Sequence, residues 1–150
     1  FELVATGGGT SSEVIDNSRA VAFADYDLDG AIDVVVVNNG GPARLLRNVS
    51  SSENGWLRLQ VLNEDGSEAI GARVQLLSGE GVQWRTISRG GSYLASNSAM
   101  AHFGLGGQEA IDDVIVHWPD GAQTHFGPLQ LRAAWSLRRG AIEARALPAQ

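Results

Sequence analysis

The densest chemistry in this chain lies in one short loop, Asp25-Tyr26-Asp27-Leu28-Asp29-Gly30-Ala31-Ile32-Asp33. Four of the nine aspartates fall here, at loop positions 1, 3, 5 and 9, with glycine at position 6. Alternate residues of a tightly wound loop aim their side chains inward, so this spacing gathers hard oxygens around one point. Ca2+ takes roughly six to eight such oxygens at about 2.3–2.6 Å. Asp25, Asp27 and Asp29 would each give a carboxylate oxygen, Ala31 would give its backbone carbonyl, and Asp33 would close the site. Gly30 permits the sharp backbone turn that brings the chain back. Without a cation these carboxylates crowd and repel one another. Calcium is therefore the expected cofactor; Mg2+ fits less well because it prefers to keep several waters. The loop is not an EF-hand: the position of that motif's bidentate glutamate is held by Val36, and both flanks read as strands. The competing reading is a charged β-turn that holds no metal.

Other reactive side chains carry weaker patterns. His102, His117 and His125 match no metal-ligand spacing, and the sequence places no acid partner beside them. Asp112-Asp113 is not a catalytic pair if it lies in a strand, because neighbours then face opposite sides. Gly104-Leu105-Gly106-Gly107 lacks the lysine and the helix of a phosphate loop and reads as a turn. Ser92 to Ser98 reads as a polar structural loop. Trp56, Trp84, Trp118 and Trp135 would bind sugar only if they formed an exposed platform; in a small β domain they are expected mainly in the core. Asn48-Val49-Ser50 fits a glycosylation sequon. Nothing here assembles nucleophile, base and acid, so the expectation is a protein that is not an enzyme.

Strands position the acidic loop. Ala20 to Ala24 is an apolar run ending at Asp25, and Ile32 to Val37 reads as a buried strand leaving the loop. With Ala43–Leu46 and Phe1–Ala5 they would make one small antiparallel sheet. Residues 49–55, Val-Ser-Ser-Ser-Glu-Asn-Gly, are mostly small and polar and read as a linker. Beyond it, Trp56–Leu62 places Leu57, Leu59 and Val61 on one face of a strand. Ala72–Leu76, Val82–Ile87, Val114–Trp118 and Ala122–Phe126 continue the strand pattern, with Gly79-Glu80-Gly81 and Pro119-Asp120-Gly121 as turns. Leu131–Arg139 and Ile142–Arg145 are further, weaker candidates. No stretch shows sustained helical spacing with caps. Residues 55–145 therefore fit a β-sandwich or barrel.

The 150 residues allow one domain or two small ones sharing a surface. The formal charge of −6 argues against nucleic acid and anionic membrane as partners, and all eleven basic residues are arginine. The absence of cysteine excludes a disulfide scaffold, a thiol nucleophile and a cysteine zinc site. No apolar run approaches the ~20 residues of a membrane span. The chain opens on Phe1 without an initiator methionine, as an excised or mature segment would.

Two resemblances gather these observations. Ala20 to Val34, with Asn38 to Asn48 behind it, resembles an FG-GAP/VCBS-type repeat, the calcium-loop blade of integrin-like β-propellers. Ile70–Val74, Arg89–Leu94, His102–Gly106 and Val116–Gly121, in that order, are similar to the ASPIC/UnbV domain. The resemblance implies a repeat over residues 1–50 and an ASPIC/UnbV-like domain over 51–150. The expected fold is all-β, a small propeller-blade-like antiparallel sheet packed against a sandwich or barrel-like domain. The expected function is a non-catalytic, calcium-binding interaction or adhesion module, extracellular, periplasmic or on the cell surface. Its partner would be an unidentified protein or glycan. A carbohydrate-binding module and an accessory domain of an enzyme are the alternatives.

Overall fold

The computed structural model describes residues 17–49, 53–79 and 81–148. Its strands are β1 (Ser18–Ala24), β2 (Asp33–Asn38), β3 (Arg44–Leu46), β4 (Gly55–Leu62), β5 (Arg73–Ser78), β6 (Gly81–Thr86), β7 (Ala101–Gly106), β8 (Asp113–His117), β9 (Gln123–His125), β10 (Ala133–Arg138) and β11 (Arg145–Ala146). The fold is all-β, and no helix among the described residues is long and apolar enough to cross a membrane. The strand expected at Phe1–Ala5 lies outside the described residues.

β1, β2 and β3 form a small antiparallel sheet. The other strands form two four-stranded sheets, ordered β11-β10-β4-β7 and β6-β5-β8-β9, with β10 parallel to β4. Strict alternation along β4 sends Leu57, Leu59 and Val61 inward. They meet Phe103 and Leu105 of β7, Leu137 of β10, and Val74, Leu76, Val114 and Val116 of the opposing sheet in one core. Each fully buried side chain of this size contributes about 1.5–3 kcal/mol. The two sheets make a sandwich that does not close into a barrel.

Two local readings change. Gly104-Leu105-Gly106 is not a free turn: it belongs to β7, with Phe103 and Leu105 buried and Gly104 and Gly106 on the open side. Glycine there imitates a loop in sequence while the alternate positions still fill the core. β2 is not buried throughout. Asp33 and Asn38 at its ends are buried, whereas Val35 and Val37 are 38% and 46% exposed, because a three-stranded sheet leaves part of its surface uncovered.

The small sheet is tied to the sandwich at its β1 edge. The N–H of Val21 donates to Ser92 Oγ at 3.2 Å and that of Phe23 to Asn97 Oδ1 at 3.0 Å. The polar 92–98 loop thus supplies acceptors to an edge strand whose N–H groups would otherwise invite another strand.

Candidate metal centre

The acidic loop joins β1 to β2. Its reversal is made by two left-handed residues, Leu28 at φ 61° and Gly30 at φ 91°. Leu28 has a Cβ, so that conformation costs about 1–2 kcal/mol which the surrounding contacts offset. The loop brings one carboxylate oxygen from each of Asp25, Asp27 and Asp29 within 4.8 Å of one another. These are three of the residues nominated by spacing.

The other two sit differently. Asp33 is buried, its Oδ2 accepting the Tyr26 N–H at 2.9 Å and its Oδ1 the Asn48 N–H at 2.7 Å. It closes the loop by pinning both of its ends, and each oxygen retains lone-pair capacity beyond one N–H. Ala31 donates its N–H to Asp29 Oδ1 at 2.8 Å, which locks the turn just after the third aspartate.

Two arginines reach the cluster, and sequence patterning gave neither a role there. Arg58 projects from the outward side of β4, between Leu57 and Leu59, and its Nη1 lies 2.8 Å from Asp25 Oδ2. The two side chains are 15% and 1% exposed, so this is a buried pair. Its one sequence signal was a charged residue at the outward position of an amphipathic strand, where a neighbouring layer can pack. Arg47, just after β3, places Nε 2.5 Å from Asp27 Oδ2 and Nη2 3.8 Å from Asp29 Oδ2.

Asp25 Oδ2 also accepts the Gly30 N–H at 3.1 Å, while Asp25 Oδ1, Arg58 Nε and His102 Nδ1 are buried with no hydrogen-bond partner among the described residues. A buried carboxylate oxygen without a donor is costly. Asp25, Arg58 and His102 line a cavity of about 140 Å³ at the seam between the small sheet and the sandwich. Burial pushes the His102 imidazole below its ordinary pKa; Asp25 opposes this, and Arg58 and Arg85 add to it. The donor set is hard oxygen throughout, and Asp25 keeps an unsatisfied oxygen among its neighbours. These residues fit a hard cation such as calcium.

The remaining candidates are dispersed. His117 Nε2 lies 3.0 Å from Gln75 Oε1, and His125 Nδ1 lies 2.6 Å from Asp113 Oδ2. Asp112 accepts the Gly79 N–H, so the two adjacent aspartates serve different turns. Trp118 is buried, Trp56 packs against Gly30, Trp135 is half-buried, and Trp84 is 38% exposed beneath Arg73.

The sandwich carries the similarity that places the chain. The profile of the family described as ASPIC and UnbV matches residues 63–144, more than half of the sequence. The chain belongs to the ASPIC/UnbV family. The match starts at the end of β4 and runs to the approach of β11, so it covers most of the sandwich and none of the acidic loop. Cartilage acidic protein 1 of Xenopus tropicalis is 33% identical over 117 residues, 75% of this chain and 18% of that protein. The Mus musculus and Homo sapiens proteins of the same name are each 37% identical over 101 residues, 65% of this chain. This ASPIC/UnbV chain spans less than a fifth of the length of these relatives.

Proposed function

We propose that this chain is a non-catalytic interaction module in which calcium stabilises the turn between β1 and β2. The carrying observation is Asp25, which brings one carboxylate oxygen to those of Asp27 and Asp29 and keeps Oδ1 buried without a donor among the described residues. Bound calcium would supply positive charge to these carboxylates. The residues of the chain do the rest: Asp33 holds the two ends of the loop, Gly30 lets it reverse, and Arg58 ties it to the sandwich. In this reading residues 1–50 are a repeat of the FG-GAP/VCBS type. The module works outside the cytoplasm, where free calcium is high enough for sites with dissociation constants of about 10⁻⁴–10⁻³ M. The similarity to cartilage acidic protein 1, a protein whose name assigns it to cartilage, supports that setting. The partner, protein or glycan, binds away from the ion. One observation favours the glycan reading: Trp84 is partly exposed beside Arg73 and His117 on the outer face of its sheet.

The test is a thermal melt of EDTA-treated protein titrated separately with Ca2+ and Mg2+. A calcium-selective rise in melting temperature is expected, equivalent to about 2.7 kcal/mol at a hundredfold excess over the dissociation constant. Asp27→Ala should abolish the response while the sandwich stays folded. No shift with either ion and no binding heat would reduce the aspartates to a solvated turn.

A further inference from the structure

We propose that Arg47 is a built-in competitor for the cation, and that it sets the calcium concentration at which the loop fills. This rests on the calcium reading above. That reading stands on more than clustered acids, because Asp25 Oδ1 is an unpartnered atom on a side chain only 1% exposed.

The geometry divides the two arginines by task. Arg58 approaches Asp25 from the sandwich, where both partners are buried. Arg47 approaches from the solvent side with its own side chain 60% exposed, and it straddles the other two carboxylates. Its contact at 2.5 Å engages Asp27 Oδ2, while the longer one reaches Asp29 Oδ2. Asp29 Oδ1 also accepts the Ala31 N–H. A calcium ion drawing on Asp27 and Asp29 therefore meets oxygens that a guanidinium already engages. It also meets a positive charge held beside them.

Exposed ion pairs are individually weak and screened by salt. Arg47 is thus a competitor the ion can displace, not a block. It keeps the two outer carboxylates neutralised when calcium is scarce and raises the threshold for filling. An arginine that only organised the carboxylates would do the reverse, and its loss would weaken binding. The sign of the change separates the two roles.

The experiment is a calorimetric calcium titration of the full chain after EDTA treatment, comparing wild type, Arg47→Gln and Arg47→Lys. Glutamine keeps length and polarity but removes the charge; lysine keeps the charge. Arg47→Gln should bind calcium about three- to tenfold more tightly, Arg47→Lys should stay near wild type, and the gain should shrink at about 1 M salt, where screening is nearly complete. Matching calcium-free melts check that the fold is intact. Wild-type binding with Arg47→Gln unchanged or weaker overturns the role of Arg47 and leaves the calcium site standing. Absence of calcium binding in the wild type overturns both.

Discussion

Arg58→Met should cost the calcium-free protein about 3 kcal/mol, measured by chemical denaturation in EDTA. The side chain of Asp25 is 1% exposed, and its carboxylate relies on Arg58 at 2.8 Å and on one N–H from Gly30. Removing one partner of a buried pair leaves the other charge uncompensated, which typically costs about 3–5 kcal/mol; the lower end applies because Arg58 is 15% exposed. Methionine retains much of the apolar stem, so the loss reports charge more than packing. Asp25→Asn in the Arg58→Met background should recover much of the cost, because no buried charge then remains to be compensated. Saturating calcium should also restore part of the loss in the single variant, since the ion supplies positive charge to the same carboxylate. A loss below about 1 kcal/mol would mean that the pair is screened like a surface one. The seam would then depend on the contacts of Ser92, Asn97 and Trp56.

What could be read from the sequence follows from how far apart the interacting residues lie along the chain. Asp25, Asp27 and Asp29 converge because the loop is local, and spacing alone foretold it. The alternation of Leu57, Leu59 and Val61 likewise predicted which face of β4 fills the core. β7 was hidden because Gly104 and Gly106 lie on its exposed side, where glycine resembles a turn. The exposure of Val35 and Val37 was hidden because a β-branched run looks the same whether its sheet is covered or bare. Arg58 and Arg47 meet the loop across 33 and 20 residues, and the two edge caps on β1 span 71 and 74. No local pattern announces such pairings. They follow from how the small sheet docks on the sandwich.

Gly30→Ala probes that docking most directly. With φ at 91°, an alanine here carries the left-handed cost of about 1–2 kcal/mol. Its Cβ would also stand 2.1 Å from Trp56 Nε1, 2.3 Å from Cδ1 and 2.4 Å from Cε2, far inside contact distance. The backbone of Trp56 is held in β4 beside the buried Leu57, where its carbonyl accepts the Arg132 N–H at 2.8 Å, so the strain falls on the indole, which must shift or push the loop away. Overpacking of this kind adds about 1–3 kcal/mol, for an expected total of about 2–5 kcal/mol, together with loss of the calcium-dependent melting shift. Gly40→Ala supplies the control: its φ is 75°, yet no atom lies within 4 Å of the added methyl group, so it should show backbone strain alone. Trp56→Ala combined with Gly30→Ala should remove the steric part and leave the strain, giving a favourable coupling in a double-mutant cycle. Equal costs for the Gly30 and Gly40 variants would show that the loop does not press on Trp56 in solution. The buried Asp25–Arg58 pair would then be the principal tie between the acidic loop and β4.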